Sequence, residues 1–208
     1  MTSSCIARFA LALCGTLALA AGASAQNRID QPRGHDHYTA ELEPHLVVQW
    51  ADQWSAAGDG IGVGLRASIP VIEDGPVETI NNSFALTFGL DWAHFGNQCY
   101  YYYGYNGPVR AGLPRGDCNG NDFWLPIAVQ WNFYFSKLIS AFPEVGLGIH
   151  HWTWDTNVAC PNGYACSGSD TGVDLVLWLG VRFHLAKSFA LTLRLGTPSL
   201  LLGASFFL

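Results

Sequence analysis

The chain has 208 residues, of which 50% are hydrophobic and only 12% charged, about half the charged fraction of an ordinary globular domain. That is too little solvated charge for a soluble surface of this size, while 8 Trp, 8 Tyr and 12 Phe exclude a disordered chain. A net charge of −6 argues against nucleic acid as a partner, and the length is that of one domain.

Residues 1–25 read as an export signal. Arg8 supplies the positive region, Phe9 to Ala21 is an apolar stretch too short to span a bilayer, and Ala23-Ser24-Ala25 is a small-residue cleavage site. Residues 26–37 are then expected to form an N-terminal periplasmic tail and residues 38–208 the folded body. Within the tail, His35-Asp36-His37 could hold a metal weakly, but a solvated segment is the simpler expectation. Cys5 and Cys14 leave with the leader. Cys99, Cys118, Cys160 and Cys166 remain, and an even number in an exported chain points to disulfides. Three connectivities are open. Local pairing, Cys99–Cys118 and Cys160–Cys166, is preferred because each pair lies in one Gly/Pro/Asn-rich loop. No C-x-x-C occurs and no His is interleaved at zinc-ligand spacing, so neither a metal nor a cofactor is expected.

Beyond the leader, the chain alternates with a period of two. Leu42, Leu46, Val48 and Trp50 alternate with Glu43, His45 and Gln49. Ile61 to Val71 alternates with Gly62, Gly64, Arg66 and Ser68, and Phe84 to Trp92 with Ala85, Thr87, Gly89 and Asp91. Phe123, Leu125, Ile127, Val129, Trp131, Phe133 and Phe135 form the next apolar row. Val145, Leu147 and Ile149 alternate with Glu144, Gly146, Gly148 and His150. Val173 to Leu185 alternates with Asp174, Trp178, Gly180, Arg182 and His184. Phe189 to Leu195 alternates with Thr192 and Arg194, and Leu200 to Leu208 closes the series. Successive side chains of a strand point to opposite faces, so this is a set of eight strands, each with one face free of charge.

The uncharged face carries bulky Leu, Phe, Ile and Trp, which suits a convex exterior. The other carries Glu43, Arg66, Asp91, Glu144, Asp174, Arg182 and Arg194 among many glycines, which suits a crowded concave interior. A soluble barrel needs the reverse arrangement. The expected fold is therefore an all-β, eight-stranded antiparallel up-and-down transmembrane β-barrel, closed because an open edge in lipid leaves unpaired amides. Longer connections at 52–60, 96–122 and 155–172 are expected outside the cell, and shorter turns at 73–82 and near Lys137 and Lys187 in the periplasm. Trp50, Trp92 and Phe123 would mark one aromatic girdle, and Phe135, Phe183, Phe189 and Phe206 the other.

With a leader, eight strands, unequal loops and an apolar last strand ending Phe206-Phe207-Leu208, residues 38–208 resemble the small bacterial outer-membrane β-barrels of the OmpA/OmpX type. The resemblance implies integral outer-membrane localisation, contact with outer-membrane lipid, and recognition of the last strand by the barrel-assembly machinery. That family usually ends in Phe, whereas here Leu208 is terminal and Phe206 shares its face.

Three candidate sites follow from the residues. Glu43, Asp91, Glu144 and Asp174 can pair with Arg66, Arg182 and Arg194 to fill the lumen, since buried charges need partners. The alternative is a narrow channel for ions or a small apolar solute. Among the histidines, His45, His150 and His184 point inward and His94 and His151 lie near the rim. His151, Thr153 and Asp155 superficially suggest a base, a hydroxyl and an acid, as a lipid-modifying enzyme would need, but a non-enzyme is expected. Finally, Tyr100, Tyr101, Tyr102, Tyr103 and Tyr105 form an adaptable aromatic tract suited to an extracellular partner. The expected function is a structural or surface-interaction role.

Overall fold

The computed structural model describes residues 27–50, 60–99, 116–156, 167–197 and 199–208. Eight strands follow in chain order: β1 (Glu41–Gln49), β2 (Gly60–Ile72), β3 (Asn82–Cys99), β4 (Gly116–Tyr134), β5 (Ile139–Thr156), β6 (Ser167–Ala186), β7 (Phe189–Thr197) and β8 (Ser199–Phe207). Each pairs antiparallel with its chain neighbour, and β8 returns to β1, closing the barrel. The closing seam sets Leu42 opposite Phe206 and Val48 opposite Leu200. It is lengthened at one end by Thr39, whose N–H donates to the Leu208 carbonyl at 2.7 Å, and by the Leu208 N–H, which donates to Ala40 O at 2.8 Å.

The period-two pattern has a direct structural cause. In β1 buried and exposed residues alternate without a break from Glu41 to Gln49, with Leu42, Leu46 and Val48 outside and Val47 the one apolar residue inside. Leu46, Ile61, Leu90, Ile127, Leu147, Leu175, Leu195 and Leu202 are all exposed, while Glu43, Arg66, Asp91, Glu144, Arg182 and Arg194 are all buried. This is a globular protein turned inside out, and its outer wall requires hydrocarbon rather than water. Small residues make the interior possible. A Cβ at Gly203 would lie 2.5 Å from Glu43 Oε1, and one at Gly180 would strike the Phe142 ring.

The strands at the long-loop end exceed the expected lengths. β3 runs on to Cys99 and β4 already begins at Gly116, so much of the expected 96–122 loop is strand. β5 continues to Thr156 and β6 starts at Ser167, trimming the expected 155–172 loop. The outward rows show why. Leu125, Ile149 and Val173 stand in register; the next row is Phe123, His151 and Thr171, and the next Asn121, Thr153 and Ser169. Above the apolar belt the ladder persists but lipid no longer demands an apolar outer face, so the alternation disappears before the strand does.

Inside and outside make a sharp contrast for tryptophan. Trp92 is 37% exposed on the wall, whereas Trp178 is 5% exposed in the lumen. In vesicles containing brominated lipid, a variant retaining only Trp92 should be quenched several times more strongly than one retaining only Trp178. Equal quenching would contradict the inside-out arrangement.

Candidate functional site

Mid-barrel, the lumen is crossed by a closed ring of charged side chains. Arg66, from β2, donates to Asp91 Oδ2 at 2.9 Å and to Glu144 Oε1 at 3.3 Å. Arg194, from β7, donates to the other oxygen of Glu144 at 3.0 Å and also to Glu43. His45 completes the circuit: its Nε2 lies 2.8 Å from Asp91 Oδ1 and its Nδ1 3.2 Å from the Glu43 carbonyl, so both nitrogens face oxygen acceptors. Thr87 and Ser205 hydroxyls donate to Glu144 at 2.6 Å and to Glu43 at 3.1 Å. Aromatic faces flank the cations, with the Arg66 guanidinium 4.4 Å from the Trp178 ring and that of Arg194 5.0 Å from Phe142. The barrel wall brings together strands distant in sequence, so that no carboxylate of the ring is left without a cationic or hydrogen-bonding partner.

Polar layers continue on either side. Toward the short-turn end, Arg182 forks onto Glu41 at 2.9 and 2.6 Å and donates to Asn132 at 2.8 Å and Gln130 at 2.9 Å, with Phe142 4.1 Å beneath it. Toward the long-loop end, Val47, Ala93, Phe95 and Leu201 form a small apolar cluster, with Trp152 edge-on to Phe95. Beside it Gln49 donates to Asp122 at 2.8 Å, and His150 stacks on Trp124 at 4.9 Å while its Nε2 approaches Asp174 at 3.1 Å.

Six of the seven charged residues expected in the lumen, Glu43, Arg66, Asp91, Glu144, Arg182 and Arg194, are buried there. Asp174 is the exception. Its side chain is 60% exposed and meets His150, because it lies toward the open mouth rather than in the ring. Two buried acids were not anticipated. Glu41 shares the inward phase of Glu43 and His45, but lies ahead of the first apolar residue at Leu42. Asp122 shares the phase of Trp124 but falls in a stretch read as loop. The phase alone was the signal for both.

The catalytic grouping is not assembled. His151 Nδ1 lies 2.7 Å from Thr171 Oγ1, while Thr153 donates to the Asn121 carbonyl at 3.5 Å. A different pair, Ser140 Oγ and His184 Nε2 at 2.8 Å, joins a hydroxyl to an imidazole across β5 and β6, with Ser140 fully buried. Among the described residues no group of three or more His, Cys, Asp or Glu is arranged to hold a metal. Cys160, Cys166 and the tyrosines Tyr100, Tyr101, Tyr102, Tyr103 and Tyr105 lie outside the described residues.

The N-terminal segment differs from a solvated tail. Arg28 N–H donates to Phe135 O and Asn81 N–H to Ile29 O, both at 2.8 Å, so it is strapped across the short-turn end. His35 is only 7% exposed. It stacks on Tyr134 at 4.3 Å and its Nδ1 lies 2.6 Å from Asn81 Oδ1. Outer contacts join Arg33 to Asp74 at 3.0 Å and His37 to Glu73 at 3.3 Å. Burial, reinforced by His37 and opposed by Asn81, Asp74 and Glu73, holds the His35 imidazole below its usual 6.5.

The chain has the fold of the small outer-membrane barrels. No protein-family model and no curated protein matches it. Among solved structures it is similar to Ail, the attachment invasion locus protein of Yersinia pestis, at 12% identity over 80% of this chain and 95% of that one, with a TM-score of 0.46. It is also similar to Neisserial surface protein A, at 13% identity over 80% and 94% with a TM-score of 0.44. The N-terminal barrel of Pseudomonas aeruginosa OprF follows at 10% identity over 81% and 96%, with a TM-score of 0.31. The strand order of this chain establishes the barrel without them.

Two consequences can be measured. Arg194→Met takes the arginine from Glu43 and one of two arginines from Glu144 and should cost about 3–5 kcal/mol in urea unfolding of the refolded barrel, whereas Asp174→Asn should stay within about 0.5 kcal/mol. Equal effects would mean that the ring does not hold the barrel together. The strap should loosen with acid. Above pH 6.5 His35 is neutral whether docked or free; as pH falls below that value, the free segment takes up a proton that the docked one resists. Cleavage after residues 28–33 by a protease active across this range should rise as pH falls, and His35→Gln should flatten the profile.

Proposed function

We propose that this protein is an exported, integral outer-membrane barrel with a structural or surface-interaction role, its lumen plugged by ion pairs rather than open. The observation that carries this reading is the Glu43–Arg194–Glu144–Arg66–Asp91–His45 ring across the middle of the barrel. Eight strands enclose a space only about wide enough for side chains. The ring has Arg182 and Phe142 on one side and Trp124, Val176 and Trp178 close to it as further filling. Opening a path would strip buried charges of their partners, a large penalty.

The outward role falls to the long-loop end. There the Tyr100–Tyr103 and Tyr105 tract offers large contact area with few rotatable bonds to an extracellular partner. The Cys99–Cys118 staple rests on the sequence pattern; the backbone register sets Cys99 opposite Gly116 and Cys118 opposite Asn97, an offset of two residues on adjacent strands. The Cys160–Cys166 staple rests on the sequence alone. β8, with Phe206 on the lipid face, is the strand offered to the assembly machinery. In this reading the chain carries no catalytic site, cofactor or metal, and binds no nucleic acid.

Planar-bilayer recording of the refolded protein should show no defined unitary current. Steady unitary currents would instead favour the narrow channel, for ions or a small apolar solute. Reduction should raise protease sensitivity between residues 100 and 115, and an unchanged digest would remove the staple from the proposal.

A further inference from the structure

The lipid-facing wall is interrupted beside Pro143. Between β4 and β5 the ladder runs to Gln130 opposite Glu144 and resumes at Phe133 opposite Ala141. The gap falls at Pro143, which has no N–H to donate. On its other side Pro143 stands opposite Leu179. A compact ring between Trp131 and Leu179 leaves a groove of about 440 Å³, lined by Trp131, Pro143, Val145, Leu177, Leu179 and Leu195. Phe84 stacks on Trp131 at 5.2 Å and braces that wall. The groove opens on the apolar exterior, where water has no polar partners to hold it and an empty trough would forfeit dispersion contacts. Hydrocarbon is the filling such a trough favours.

Depth and charge narrow the occupant further. β4 ends at Tyr134, three residues beyond Trp131, a drop of about 7 Å for a strand tilted as in such barrels. That is about a quarter of a hydrocarbon core about 30 Å thick, so a chain rooted at the level of the short turns runs past the groove. The two lysines of the sequence, Lys137 and Lys187, lie in the β4–β5 and β6–β7 turns directly below. Those turns are two strand spacings apart, about 10 Å. Both lysines are exposed, and neither is in an ion pair among the described residues. The acids of this end include Glu73, Asp74 and Glu78 of the β2–β3 turn, where Asp74 and Glu73 already face Arg33 and His37, and Asp30 and Asp36 of the N-terminal segment.

We propose that the barrel holds one anionic phospholipid of the short-turn leaflet, its phosphate between Lys137 and Lys187 and one acyl chain in the Pro143 groove. A compact ammonium is a point charge suited to a phosphate, and basic residues at a membrane surface attract anionic lipid. The site lies on the outer wall and does not depend on whether the lumen conducts.

The refolded full chain, in micelles doped with equal phosphatidylglycerol and phosphatidylcholine, tests this by native mass spectrometry. One phosphatidylglycerol should be retained per barrel, preferred about tenfold over phosphatidylcholine. Lys137→Gln with Lys187→Gln should abolish the preference. Val145→Trp, which fills the groove, should lower retention of both lipids; should it fail to fold, Leu177→Trp replaces it. Equal retention of the two lipids by the unaltered protein, or retention unchanged by the lysine or groove substitutions, would overturn the proposal.

Discussion

A β-sheet in hydrocarbon has to satisfy every backbone amide internally, and for this chain that means closure. Closure at eight strands sets the rest of the interior. The inward side chains converge on a space scarcely wider than themselves, and those that carry charge lose water. Arg66 and Arg194 are therefore shared between carboxylates, each bridging two strands that are not neighbours in sequence. The ion pairs are a consequence of the wall and also tie it together, because removing one member exposes another to a medium that cannot solvate it.

The same constraint explains the unequal ends. At the short-turn end the lumen is finished by the Arg182–Glu41 fork, by Tyr134 stacked under His35, and by a strap of backbone hydrogen bonds. At the other end the strands of β3 to β6 rise past the apolar belt and carry His94, Asn121 and His151 on their outer faces. Trp92 Nε1–H and His94 Nδ1 both reach Asn121 Oδ1, at 3.2 and 3.1 Å, a polar contact that would be costly deeper in the bilayer. Packing at one end and projection at the other suit a wall-bound body that presents its loops outward.

Much of this was legible in the residue order, and the failures share a cause. β1, β7 and β8 were readable almost to their ends because they lie within the apolar belt, where every outward position is apolar or small. β3 to β6 were readable only where lipid imposes an apolar face; above it hydrogen bonding continues with no compositional trace. Asp174 and Glu144 have the same inward phase, yet one is at the mouth and the other in the ring, a difference of height that alternation does not encode. His35 carried no periodic signal, since its burial depends on Tyr134 and Asn81 from distant turns.

By itself, the sequence determined which face of each strand meets lipid, because a period of two separates side chains before any fold is known. It also determined the number of strands, because each crossing of the hydrocarbon leaves its own uncharged row. Only the tertiary structure decided which acid pairs with which arginine, how far the strands outrun the membrane, and that the N-terminal segment closes one end. Those depend on register, height and curvature, which arise when the eighth strand meets the first.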